Sequence, residues 1–181
     1  MFARLSPLVL VALALVPAVA AADASGDLAK VKNAFFAAKS FEGTEQMPDG
    51  RTVKVDYVAP DRWRVALPNN MTELLIGDTV YMTLNGKTMT VPIGSGIMHQ
   101  TIDGFKNMPA DAEFKSSAKD LGMKSVGGKM LHAYSFTSKG VPATVYVGSN
   151  WLPVQTSVTT QHGPITITYS RWNDPTIVIH S

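Results

Sequence analysis

The sequence predicts an α+β fold: a curved antiparallel β-sheet of roughly eleven strands, an incomplete barrel, with an N-terminal helix and a short helical insert covering its concave face. Three observations lead there. One segment near the start has helical apolar spacing. After it the period changes to two. Turn signals with a backbone mechanism then recur about every 6–12 residues. A sheet of this size does not stay flat and open, so it is expected to curl, and helices too short to cover its concave face leave room for a cavity.

Taken in order, Asp23 and Ser25 can cap a helix with its body from Leu28 to Ala38. Leu28, Val31, Phe35 and Ala38 fall on one face, and Lys39-Ser40 ends it. Phe41 to Met47 runs into Pro48-Asp49-Gly50, where Pro sets φ and Gly takes the left-handed position. Val53, Val55 and Tyr57 then alternate with Thr52, Lys54 and Asp56. After Ala59-Pro60-Asp61, Trp63, Val65 and Leu67 alternate with Arg62, Arg64 and Ala66. Strands 71–76 and 79–84 flank Gly77-Asp78, and Asn85-Gly86 is a strong hairpin signal leading to 87–91. Ser95 to Asn107 is compatible with a short helix weakened by glycines and closed by Pro109. Strands resume at 112–120, 129–137, 142–148, 154–161 and 165–172, with a further short one at 177–179. No repeat, linker or low-complexity stretch divides the chain, so 23–181 reads as a single domain.

The 181 residues are 45% hydrophobic and 17% charged, with 16 Lys and Arg against 14 Asp and Glu. That composition is globular rather than disordered. A net charge of +2 without clustered cations excludes a nucleic-acid footprint. Cys is 0, which removes disulfides, thiolate metal sites, a Cys nucleophile and a cysteine-linked lipid anchor. At the start, Arg4 precedes an apolar run from Leu8 to Val16, then Pro17 and the small residues Ala18 to Ala22. This is the pattern of a cleaved signal peptide over 1–22; an uncleaved anchor is the alternative, opposed by Pro7 and Pro17. Export without cysteine points to a bacterial periplasm, and no second run of spanning length follows.

Catalytic chemistry finds no home. The 4 histidines, at 99, 132, 162 and 180, have no ligand spacing and read as turn residues. The 9 methionines are dispersed and read as core filling or as an adaptable apolar surface, so no metal or cofactor is expected. Most aspartates adjoin turns; Glu73 lies within a strand. Gly94-Ser95-Gly96 lacks the Gly-x-Ser-x-Gly nucleophile pattern. Arg62 and Arg64 around Trp63 read as a solvated strand face opposite a buried ring.

Several stretches together resemble a known family: Ala59-Pro60-Asp61-Arg62-Trp63-Arg64, Ile76-Gly77-Asp78-Thr79-Val80-Tyr81, Gly128 through Tyr134, Trp151-Leu152-Pro153, and Tyr169-Ser170-Arg171-Trp172-Asn173 followed by Pro175. In order and spacing the chain resembles the periplasmic lipoprotein-carrier superfamily (LolA/LolB-like, including LppX/LprG-like mycobacterial carriers). The resemblance implies a half-barrel lidded by helices that binds acyl chains or hydrophobic peptides without catalysis, in proteins linked to outer-membrane biogenesis, with one relative serving as an envelope-stress sensor. Without cysteine after the leader, this chain departs from the lipid-anchored members.

The function expected is therefore a non-catalytic periplasmic carrier or sensor, with an acyl chain, lipid or lipoprotein as cargo. The other class is an envelope protein-binding module whose sheet is filled by its own side chains. By strand alternation, the residues expected to line the cavity are Val53, Val55, Tyr57, Trp63, Val65, Leu67, Val80, Met82, Leu84, Ile165, Ile167 and Tyr169.

Overall fold

The computed structural model describes residues 23–91 and 116–180, apart from 69, 78 and 139. The leader (1–22), the helical insert (95–107), the start of the strand placed at 112 and His99 lie outside the described residues. The helix α1, Ala24–Ala37, is followed by β1 (Ser40–Gln46), β2 (Thr52–Val58), β3 (Arg62–Leu67), β4 (Met71–Ile76), β5 (Thr79–Leu84) and β6 (Lys87–Val91). The second half is β7 (Lys119–Val126), β8 (Lys129–Ser138), β9 (Val141–Val147), β10 (Pro153–Thr160) and β11 (Gly163–Ser170).

All strands form one antiparallel sheet, open and curved, in the order β6-β5-β4-β3-β2-β1-β11-β10-β9-β8-β7. The chain starts at the centre, meanders out to one edge, re-enters at the other and returns to pair β11 with β1. Loops set the registers where the sequence placed turns. Gly50 takes φ +84°, and its N–H donates to the Met47 carbonyl. Asn85 and Gly86 both have positive φ, the geometry that matches hairpin twist.

Asp23 caps α1: its carboxylate accepts the Gly26 N–H at 3.1 Å, satisfying one of the orphan donors of the first turn. Ser25 is not a cap; it lies in that turn and donates its hydroxyl to Asp23 at 2.7 Å. The apolar stripe of α1 buries Ala24, Leu28 and Val31 against Tyr134, Phe136, Val145 and Val147 of β8 and β9. Its last turn sends Phe35 into an aromatic cluster with Phe41, Tyr169 and Trp172, ring centroids 5.3–6.0 Å away. One helix thus spans the sheet from β8 to β1, and burial of this stripe, rather than local propensity, stabilises it.

Three strand placements need correction. The strand expected at 112–120 begins at Lys119 and runs to Val126, while Ser116 and Ser117 are helical. The glycine at 122 does not stop it, because it sits at a bulge between Asp120 and Gly122 with φ +67°. The strand expected at 165–172 ends at Ser170, since Arg171 and Asn173 turn to positive φ. Residues 177–179 are not a strand, although Ile177 and Ile179 are buried. This terminal segment is tied back: Asn173 accepts the Lys39 N–H at 2.7 Å, Ser40 Oγ donates to the Asp174 carbonyl, and Arg62 donates to the Ile179 carbonyl.

Candidate functional site

Cross-strand register decides which side chains share the face under α1. In an antiparallel pair, directly opposed residues point the same way. One row runs Phe41, Tyr57, Trp63, Leu75, Val80 across β1 to β5. The next runs Tyr169, Gly43, Val55, Val65, Glu73, Met82, Met89 from β11 to β6. A third places Ile167, Glu45 and Val53 beside Leu67, Met71 and Leu84. Ile165 follows two residues from Ile167, opposite Val158. All twelve expected lining residues therefore lie on one face, the one that α1 packs on.

They differ in burial along the strands. Trp63, Val65, Val80 and Tyr169 are buried, and Val53, Val55, Tyr57, Leu67 and Ile167 pack against them. The row beginning at Phe41 is closed by the protein's own rings: Tyr57 and Trp63 approach to 4.4 Å, Phe41 and Trp172 to 4.9 Å between centroids. Burial pushes the Tyr169 phenol up to about 12. Toward the other end the face opens. Met71 and Met82 are half-buried, Leu84 is 41% exposed and Met89 54% exposed. Leu84 and Met82 thus lie outside the packed cluster, as does Ile165. The difference runs along the strands rather than across them, since Glu73 and Leu75 of β4 and Val80 of β5 are buried while Leu84 of β5 is exposed.

Two carboxylates sit on this face that strand alternation of apolar residues did not signal. Glu73, between Val65 and Met82, is fully buried at 0% exposure. Glu45, between Val53 and Ile167, is half-buried, and burial raises its carboxyl above the ordinary glutamate value. Each occupies an in-facing strand position, which was the only sequence signal available. At the centre of the sheet Gly43 is buried and contributes no side chain between Val55 and Ile167.

His132 is not a turn residue. It lies within β8, bonded to Asp120 at 2.6 Å and stacked on Tyr134 at 4.6 Å. A hydrogen bond from the Gly122 N–H, with His132 adding to it, holds the Asp120 carboxyl below its usual range. Tyr134 donates to Asp27, which pairs with Lys30, whose ammonium lies 4.7 Å over Trp151. Arg64 pairs with Asp56 on the outer face. A separate polar cavity of about 400 Å3 is lined by Lys119 and by hydroxyls of Ser135, Thr144 and Ser157. Among the described residues no cluster of His, Asp or Glu is arranged to hold a metal ion, and no helix is long and apolar enough to cross a membrane.

No protein-family model matches the chain, and no curated protein matches it. Solved structures share the fold. The Mycobacterium tuberculosis lipoprotein LppX superposes with a TM-score of 0.61 at 15% identity, covering 86% of this chain and 98% of its own. LprF from Mycobacterium bovis superposes with a TM-score of 0.61 at 17% identity, covering 87% of this chain and 96% of its own. MucB gives a TM-score of 0.46 at 13% identity, covering 88% of this chain and 62% of its own. The half-barrel expected from the sequence resemblance is thus the fold that LppX and LprF share with this chain.

Proposed function

We propose that the protein is a non-catalytic carrier or sensor that binds a lipidic or otherwise apolar ligand on the concave face of its half-barrel. The observation that carries this reading is the gradient on that face. Rows of mostly apolar side chains continue from the closed aromatic end at Trp63 to the exposed Leu84 and Met89. Apolar surface presented on a preformed concave sheet is what an acyl chain needs. Each buried methylene contributes about 0.8 kcal/mol, so a 16-carbon chain offers on the order of 10 kcal/mol gross. Association and ordering remove about half of that or more and leave roughly micromolar binding. The sequence resemblance to lipoprotein carriers and the shared fold with the lipoprotein LppX point the same way. On this reading residues 1–22 are a cleaved export signal, 23–181 act in the periplasm, and the cargo is an acyl chain, lipid or lipoprotein.

One observation favours a second reading, an envelope protein-binding module without ligand: the aromatic rings already fill the end of the face nearest β1. Native mass spectrometry of protein purified without detergent separates the two. Co-purified lipid, released on denaturation, supports the carrier. Bare protein whose tryptophan emission ignores a series of acyl ligands, and which is no less stable after delipidation, assigns the module instead.

A further inference from the structure

The β7–β8 hairpin carries the face under α1 out to the far edge of the sheet, since Met130 and His132 lie on the same side of β8 as Tyr134. Its register places Met123 opposite His132, Lys124 opposite Leu131, Ser125 opposite Met130 and Val126 opposite Lys129. Side chains two apart share a face, so Met123 and Met130 lie on one side and Lys124 and Lys129 on the other. Met123 is 54% exposed and Met130 60%, and both lysines are exposed as well. Leu121, 37% exposed, adds to the apolar side chains at the bulge. Single exposed apolar residues are ordinary, but several on one hairpin make a patch. The hairpin's acid, Asp120, is already engaged by the Gly122 N–H and His132, and the cations Lys124 and Lys129 flank the tip on the side opposite the methionines.

We propose that this hairpin docks the protein on an anionic lipid bilayer. The Gly127-Gly128 tip has no side chains to desolvate, so it enters the interface end-on. Met123 and Met130 reach the acyl boundary. Lys124 and Lys129 extend their stems along the hairpin and hold their ammonium groups among anionic headgroups. A bilayer fits better than a protein partner. The hairpin from Lys119 to Leu131 contains no Trp, Tyr or Arg, the anchors that dominate protein interfaces. Methionine and lysine, by contrast, are long, adaptable side chains that suit a fluid apolar layer under mobile negative charge. The hairpin lies at the β7 edge of the sheet and the exposed Leu84 and Met89 at the β6 edge, so the hairpin variants leave the proposed ligand rows in place.

The test is flotation of the full mature protein with phosphatidylcholine vesicles and with vesicles of equal parts phosphatidylcholine and phosphatidylglycerol. The protein should float with the anionic vesicles at low salt, and high salt should release it. Replacing both lysines (Lys124→Ala with Lys129→Ala) should weaken partitioning about 25-fold. Replacing both methionines (Met123→Ser with Met130→Ser) should weaken it about tenfold. Val178→Ser, which removes an exposed apolar side chain of the C-terminal segment, should leave flotation unchanged. Because the chain has no cysteine, Ser125→Cys accepts a single environment-sensitive dye, whose emission should shift to the blue on anionic vesicles only. Equal flotation on neutral vesicles, indifference to the hairpin variants, or a methionine-dependent dimer in sedimentation would each overturn the proposal. Acyl-ligand binding measured on the same hairpin variants should be unchanged, so loss of docking and failure of the carrier reading are distinguishable.

Discussion

Tyr134 donates its hydroxyl to Asp27 at 3.0 Å, joining β8 to the first turn of α1 across 107 residues of chain. Burial raises the Tyr134 phenol well above its ordinary value, and acceptance by Asp27 adds to the effect. Tyr134→Phe should lower stability by about 1 kcal/mol, because a hydrogen bond to a carboxylate is lost while the ring packing stays. A double-mutant cycle with Asp27→Ala, read by urea denaturation, should return a coupling of the same size; additivity of the two variants would show the bond contributes nothing.

Gly43 tests the packing at the centre of the sheet. Its φ is not in the left-handed region, and an added Cβ would lie 3.7 Å from Val55 Cβ and 3.9 Å from Ile167 Cγ2, ordinary contact distances. Gly43→Ala should therefore raise stability by about 0.5–1 kcal/mol through the unfolded chain's lost freedom. Gly43→Leu should keep the fold and reduce acyl-ligand occupancy in native mass spectrometry. Unchanged occupancy in the Leu variant would remove this part of the face from the ligand site.

Leu84 and Lys54 separate the two faces. Leu84 sits at the open end of the concave face, and Lys54 is exposed on the outer face, where it opposes Thr44. Leu84→Asp should weaken binding of a fluorescent fatty acid about tenfold or more, since a carboxylate must be desolvated beside the chain. Lys54→Asp should leave it within about twofold. Equal effects would indicate a charge effect on the whole surface rather than a site.

Acid should act on two carboxylates with opposite sign. Hydrogen bonds from Thr176, and then from Arg171, hold Asp174 down to about 2. Its contribution is present above the ordinary aspartate value of 3.8 and is lost as pH falls toward about 2. Glu45 is raised above 4.5 by burial, so its favourable contribution exists below that value and is lost as pH rises through its elevated pKa. Glu45→Gln should thus stabilise at about pH 7 and have no effect at about pH 3, while Asp174→Asn should destabilise at about pH 7 and become neutral near about pH 2. Urea midpoints across this range provide the measurement, and parallel curves for both variants would contradict the assignment.

Export makes a direct prediction from residues 18–22. Protein recovered from the envelope should begin at Ala21 or Asp23 by intact mass. Retention of Met1 in a membrane pellet would mean that the leader is an anchor.

Much of the fold was legible because local chemistry and tertiary structure agree. The hairpins at Pro48-Asp49-Gly50 and Asn85-Gly86 need left-handed residues that those positions supply. Strict alternation over Val53 to Tyr57 and Trp63 to Leu67 assigned side chains to a face before any register was known. The extent of β7 was not legible, because a glycine such as Gly122 can mark either a strand end or a bulge, and only pairing with β8 distinguishes them. The turn at Arg171 was hidden for a related reason. Arginine carries no turn preference, and its left-handed backbone is held by side-chain bonds to Glu42, Asp174 and Thr176.

The sequence by itself determined the class of fold, the strand and turn pattern and the face on which the apolar residues lie, since these follow from period and backbone preference over a few neighbouring residues. Only the tertiary structure decided how that face is used. Its closed end depends on Phe35, Phe41 and Trp172 meeting from the helix, the first strand and the C-terminal turn. The burial of Glu73 depends likewise on the strands beside it, Val65 on one side and Met82 on the other. Burial is a property of what arrives from distant parts of the chain, and no local period encodes it.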